Sequence, residues 1–268
     1  MAFVDIRSLG YRTDLMIRVL EGSQVEDRGA YLVIRSPQNP AFWWGNFLLL
    51  SAPPPPGQAG QWTARFAAEF PGASHVALGV DVTEADAVDP RELIAAGLRL
   101  TQETVLTASD VHAPPRPDTT ATYRRLSGDA DWAQAAELRT VISAGEPGSE
   151  PEFLRARLAA ERAITEAGHG SWFGAFSNGR LLAQLGLISS QTGLARYQNV
   201  ETHPAARRRG LAGTLVWHAA RHALATEGAS TLVIVADPAD VAIRIYRSVG
   251  FADTEAQIGF ERQSPTAS

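Results

Sequence analysis

The stretch that most constrains this chain is Arg207-Arg208-Arg209-Gly210-Leu211-Ala212-Gly213-Thr214, a basic, glycine-bearing loop between an extended segment and an amphipathic helix. Residues 196–202 read as extended into Pro204, and Ala212, Leu215, Val216, Ala219 and Ala223 then recur at helical spacing. A helix that opens in such a loop begins with unpaired N–H groups and the positive end of its dipole, so an anion placed there meets both. Gly210 and Gly213 lack the Cβ that would hold a ligand away from the backbone, and the arginines add charge and forked donors. A diphosphate suits this chemistry; a solvated surface turn is the plainer alternative.

The elements that follow narrow the choice. After the helix comes the apolar run Thr231-Leu-Val-Ile-Val-Ala, then Asp237-Pro238-Ala239-Asp240, which predicts a second helix with Asp237 as cap, Pro238 at its first position and Asp240 reaching back. The spacing Arg207-x-x-Gly210-x-Ala212 resembles the acetyl-CoA diphosphate loop of the GNAT superfamily of N-acetyltransferases. Ala242-Ile-Arg-Ile-Tyr-Arg-Ser-Val-Gly-Phe251 resembles the family's A-x-x-L-Y-x-x-x-G-F segment, in the expected order.

Around these motifs the second half predicts a strand at 121–126, helices at 130–143 and 152–167, and strands at 171–176 and 180–188 about Asn178-Gly179, a pair suited to a tight hairpin. Residues 109–120 are polar and proline-rich, as in a connector. The organisation expected is therefore a first domain over 1–110, a linker over 111–120 and an acetyl-CoA-binding domain over 121–268.

The first half has a similar rhythm, with strands at 31–34, 47–51 and 75–80, helices at 62–70 and 91–96, and a strand beginning after Gly97. Where a phosphate loop would stand, it has Ser51-Ala52-Pro53-Pro54-Pro55-Pro56-Gly57. Proline has no amide hydrogen to offer. The expected fold class is α/β (α+β): two GNAT-like domains, each a mixed, mostly antiparallel sheet flanked by helices. The second domain carries a splayed parallel strand pair, and the first is a degenerate repeat without a phosphate loop.

Composition removes several function classes. The chain has 268 residues, enough for about two domains, and lacks the apolar run of roughly 18 residues that a membrane span needs. No basic-then-apolar leader is evident at Met1-Ala-Phe-Val-Asp-Ile-Arg7, so a cytoplasmic location is the default expectation. There is no cysteine and no lysine, all 24 basic residues being arginine, which excludes thiolate and Schiff-base chemistry. A net charge of -5 argues against a broad nucleic-acid surface. His218 and His222 lie one helical turn apart, but no third ligand is evident, so no metal is expected.

The resemblance implies acetyl-CoA as cosubstrate, held by Thr202, His203, Arg207, Arg208, Arg209, Gly210, Leu211, Ala212, Gly213 and Thr214. It also implies direct attack by an amine acceptor, a small molecule or a peptide, in a ternary complex. Tyr246 is then the acid for the departing thiolate. The family's usual strand glutamate is replaced by Arg196, leaving Glu201 as candidate base, amine binder or loop cap. Ala239 stands where the family often has asparagine. Glu150, Glu152, Glu161 and Glu166 belong to the helices that line the acceptor pocket and either attract an amine or stand solvated. Phe42, Trp43 and Trp44 form either an acceptor wall or core packing. A non-catalytic acyl-CoA-binding sensor or interaction protein, or an anion-binding nucleic-acid module, is the alternative to an enzyme.

Overall fold

The computed structural model describes residues 5–145, 151–190 and 192–263. Residues 1–4 of the N-terminal reading and Glu150 lie outside them. The chain forms two compact units. One comprises the chain up to Val105 with Val235–Pro238 and the stretch from Thr254 on; the other comprises Leu106–Ile234 and Ala239–Asp253.

In chain order the first unit supplies α1 (Leu9–Leu20), β1 (Gln24–Asp27), β2 (Tyr31–Arg35), β3 (Phe47–Leu50), α2 (Ala59–Glu69), β4 (His75–Val80), α3 (Arg91–Ala95) and β5 (Arg99–Ala108). The second supplies β6 (Thr122–Arg125), α4 (Gly128–Ile142), α5 (Pro151–Glu166), β7 (Gly170–Ser177), β8 (Arg180–Ser189), β9 (Leu194–Thr202), α6 (Leu211–Thr226), β10 (Thr231–Ala236) and α7 (Ala242–Arg247). The last strand, β11 (Ala252–Gln263), returns to the first unit.

In the first unit the strand order is β1-β2-β3-β4-β11-β5. Its β3 and β4 run parallel, and its other registered pairs are antiparallel. Leu48, Leu49 and Leu50 are apolar without alternation because both faces of β3 are covered, and Tyr11, Leu15, Phe66, Leu78 and Phe260 join them in the core. The expected α2, α3 and strands are present, whereas α1 and β1 carried no signal strong enough to be read. The N-terminus of α1 is closed by carboxylates: Asp81 accepts from the Arg7 and Ser8 amides at 3.0 and 2.9 Å, and Glu255 from the Leu9 amide at 2.8 Å.

In the second unit the order is β10-β9-β8-β7-β6, with β9 and β10 parallel and the rest antiparallel. The β7–β8 hairpin turns at Asn178 and Gly179 with φ of 51° and 76°, the positive pair such a turn requires. The helices α4 and α5 cover one sheet face around Trp132, Leu138, Leu158, Trp172 and Leu181. On α6, Leu215, Val216, Ala219 and Ala223 of the predicted stripe are fully buried, joined by Ala220, while Ala212 is half-buried. No helix among the described residues is long and apolar enough to cross a membrane.

The second signature helix starts later than its sequence suggested. Asp240 Oδ1 accepts from the Ala242 amide at 2.9 Å, and this local turn sets the helix start at Ala242, leaving Asp237 and Pro238 outside it. Of the two proposed caps, it is Asp240 that bonds the opening turn of α7.

Candidate functional site

The loop between β9 and α6 is built to expose its amides. Pro204–Ala206 forms a single 3₁₀ turn, capped by His203 Nδ1, which accepts from the Ala205 amide at 3.2 Å. Arg208 and Gly210 then take positive φ, 62° and 84°. Successive N–H groups in such a conformation converge as a concave anion nest. Gly210 is the residue preceding α6 and offers no side-chain cap. Among the described residues, the amides of Arg208, Arg209, Gly210, Leu211, Ala212 and Gly213 have no acceptor; the first to find one is Thr214, bonded to the Gly210 carbonyl at 3.1 Å. The first amides of any helix lack intrahelical partners, and here Arg208 and Arg209 extend that run of open donors, an arrangement able to accept an anion.

The connector fixes this loop in place. A Cβ on Gly210 would lie 2.6 Å from the Arg116 carbonyl oxygen, and one on Gly213 would lie 3.3 Å from Pro114 and 3.4 Å from Ile245 of α7. Thr214 Oγ1 donates to the Gly210 carbonyl and accepts from the Asp118 amide, both at 2.9 Å. Burial disfavours the Asp118 carboxylate, but Thr120, the Ala121 amide and Tyr123 donate to it and hold its pKa below the usual carboxylate range. Arg209 reaches Thr120 at 3.3 Å, and Arg207 Nε donates to the Thr202 carbonyl at 3.4 Å. None of these connector contacts carried a sequence signal beyond composition, since Asp118 and Thr120 read only as linker residues.

Beside the loop the parallel ladder opens. The β9–β10 pairing covers Leu194, Ala195 and Arg196 against Thr231, Leu232 and Val233 and then ends, although β9 runs on to Thr202. A bulge between Gln184 and Gly186 in the β8–β9 register accompanies Asn199 at φ 49°. The His203 amide donates to Leu182, so strand alternation turns the Thr202 amide to the edge away from β8. The first unit's parallel pair differs: β3 and β4 stay paired to Leu50 and Val80, and the Asp81 amide continues the ladder to the Leu50 carbonyl at 2.8 Å. Following its proline run, the Gly57 amide is already taken by the Glu92 carboxylate at 2.7 and 2.9 Å.

Tyr246 lies on α7, buried at 6 % exposure, and no hydrogen bond to its hydroxyl forms among the described residues. Burial, with Asp240 adding like-signed repulsion, pushes its pKa up to about 12. Tyr197, whose hydroxyl donates to the Val216 carbonyl at 2.9 Å, has its pKa raised well above the ordinary value by burial and, secondarily, by the neighbouring Tyr246.

Glu201 sits in a polar cluster on the α4–α5 face of the sheet. Its carboxylate meets Arg139 Nε at 3.1 Å and Gln184 Nε2 at 2.5 Å. Arg139, 5 % exposed, also binds Glu161 at 2.6 Å, and Asn199 donates to Glu161 at 2.7 Å. Burial opposes the Arg139 charge, but the two carboxylates keep its pKa above the ordinary value; burial drives the Glu161 carboxyl up against the pull of Arg139. Arg139, Gln184 and Asn199 were missed in the sequence because nothing in a single chain marks which polar residues of a helix and two strands converge.

Other candidates are engaged elsewhere. Glu166 pairs with Arg162 at 2.7 Å, and Glu152 is exposed on α5. His218 stacks on Tyr123 at 4.9 Å and His222 meets Phe173 edge-on at 5.4 Å; no group of three metal-ligating side chains occurs among the described residues. Trp43 stacks on His75 and Trp44 packs on Phe47 while donating to Glu261, so this aromatic cluster is packing within the first unit. Arg196 is buried.

With this geometry in place, comparison with known proteins gives a consistent result. Residues 134–251 match the model of the acetyltransferase (GNAT) family. A GCN5-related N-acetyltransferase from Kribbella flavida superposes with a TM-score of 0.64 at 13% identity, over 99% of this chain and 98% of that one. A GCN5-related N-acetyltransferase from Sphaerobacter thermophilus gives 0.60 at 17%, over 94% and 86%. A tandem GNAT protein from the clavulanic acid biosynthesis pathway gives 0.57 at 14%, over 98% and 94%. Curated proteins yield no match. The shared fold therefore spans both units, and the stretch that matches the acetyltransferase (GNAT) family model, residues 134–251, holds the loop, the opened ladder and Tyr246.

Proposed function

We propose that this protein is an acetyl-CoA-dependent N-acetyltransferase that works through its second half. The observation that carries the reading is the run of acceptor-free amides from Arg208 to Gly213 at the start of α6, beside a parallel ladder that ends at Arg196. These amides, with Arg207, Arg208, Arg209 and the Thr214 turn, would hold the diphosphate. Thr202 and His203 would offer backbone groups to the pantetheine arm. The first half, with its closed ladder and occupied Gly57 amide, supports no second cofactor site.

An acceptor amine would attack the thioester carbonyl, forming the amide C–N bond as the C–S bond breaks. Tyr246, protonated across the physiological range, would give its proton to the departing thiolate. Glu201, with both oxygens engaged, is better placed to hold Arg139 and the bulged strand than to take the amine's proton, which would pass to water. That engagement also favours the second reading, an acyl-CoA sensor without catalysis.

Titration calorimetry with acetyl-CoA tests the cradle. Binding in the roughly 1 µM to 1 mM range typical of enzyme substrates is expected, and affinity no better than that of inorganic phosphate would overturn the reading. Release of free thiol across an amine panel then separates enzyme from sensor.

A further inference from the structure

Between α4 and α5, against the start of β8, lies a cleft of about 540 Å³. Its bed is apolar, from Leu138, Leu154, Leu158 and Leu181, and Arg155 and Arg180 stand on its lining. Both arginines are exposed, and neither has a hydrogen-bond or ion-pair partner among the described residues. Arg139 lines the same cleft and keeps its Nη2 buried without a partner. The glutamates of α5 do not supply its charge: Glu161 pairs with Arg139, Glu166 is held by Arg162, and Glu137 is the sole acid on the described lining. His203, which follows the last residue of β9, also lines the cleft, so it borders the strand end where transfer is proposed.

Resting on the acetyltransferase reading, we propose that this cleft selects the acceptor, and that the acceptor is an amine bearing a carboxylate on an apolar body. The apolar bed takes the body, by burial of its surface. The forked guanidinium groups of Arg155 and Arg180 take the carboxylate, a match of planar donors to planar acceptor that an ammonium-bearing polyamine could not use.

The test uses the full chain and two matched acceptors, 4-(aminomethyl)benzoate and 4-methylbenzylamine, together with 4-methylbenzoate as a probe that cannot be acetylated. The acid-bearing amine should be used with kcat/KM at least about tenfold above its neutral counterpart, and that ratio should fall at least about tenfold in the Arg155→Gln/Arg180→Gln variant. Calorimetry should show 4-methylbenzoate binding the unaltered protein and losing affinity by a similar factor in the variant. Acetylation of both amines without preference, or failure of 4-methylbenzoate to bind, overturns the cleft assignment and leaves the transferase reading intact. Arginine-dependent binding of 4-methylbenzoate with no thiol release from any amine keeps the cleft's acid selectivity and removes the transferase reading instead.

Discussion

Glu201 is gripped at both carboxylate oxygens, by Arg139 Nε at 3.1 Å and by Gln184 Nε2 at 2.5 Å. A carboxylate so held contributes order first. Glu201→Ala leaves Arg139, 5 % exposed, with one carboxylate fewer in a poorly solvated site. Removing one partner of a buried pair costs about 3 kcal/mol or more, which at this chain length lowers the melting midpoint by roughly 6 to 12 °C. Glu201→Gln should retain the acidic limb of the kcat/KM profile. Disappearance of that limb, with the melting midpoint unchanged, would instead make Glu201 the base.

Tyr246→Phe separates chemistry from packing. The hydroxyl has no hydrogen bond among the described residues, so its loss should cost little stability. A missing general acid lowers kcat by about 100-fold or more, while KM for acetyl-CoA should move less than about threefold, because the proposed diphosphate contacts would be untouched. Equal loss in both parameters would return Tyr246 to the core.

All five tyrosines, Tyr11, Tyr31, Tyr123, Tyr197 and Tyr246, have pKa values raised by burial as the leading cause. The unfolded chain would lose phenolic protons near pH 10, where the folded chain keeps them. Unfolding then releases protons, so the stability is complete below pH about 10 and falls as pH rises toward about 12 for Tyr246. An ultraviolet titration should show phenolate absorbance appearing together with loss of far-ultraviolet helix signal. A full phenolate step near pH 10 in protein that stays folded would contradict this.

Gly210 holds φ at 84° with the Arg116 carbonyl in the space a Cβ would fill. Gly210→Ala adds left-handed strain of about 1 to 2 kcal/mol and displaces either the connector or the amide nest. Acetyl-CoA affinity should fall by about tenfold or more, whereas Gly213→Ala, meeting Pro114 at 3.3 Å, should be milder. Calorimetry on both variants checks the order.

Elements with a local code were legible in the sequence. Asn178-Gly179 gave the hairpin, the spacing from Ala212 to Ala223 gave α6, and the basic glycine loop gave the open amides. What was not legible depends on distant partners. The start of α1 is fixed by Asp81 and Glu255, and α7 begins at Ala242 because Asp240 bonds there, although Pro238 is an equally good local signal. Arg139 and Glu201 are separated by 62 positions, and only the packing of α4 on β9 makes them one group. The charge of the α4–α5 cleft was not legible for the same reason: the glutamates of α5 are visible in sequence, but the pairing of Glu161 with Arg139 and of Glu166 with Arg162 is not.

The return of β11 makes the first unit depend on the end of the chain. Residues Ile258 to Gln263 pair antiparallel with β4, Phe260 and Ile258 are buried in the first unit's core, and Tyr11 donates to the Ile258 carbonyl at 2.6 Å. Losing one buried phenylalanine side chain alone costs about 3 to 5 kcal/mol, against a typical domain stability of about 5 to 15 kcal/mol. The ladder to β4 and the Glu255 cap of α1 would go with it. A chain ending at Asp253 should therefore lose amide-exchange protection throughout β2, β3 and β4. It should also become prone to association, because β4 would present an unpaired edge. Retained protection in those strands would show that β11 merely lies against a unit already stable without it.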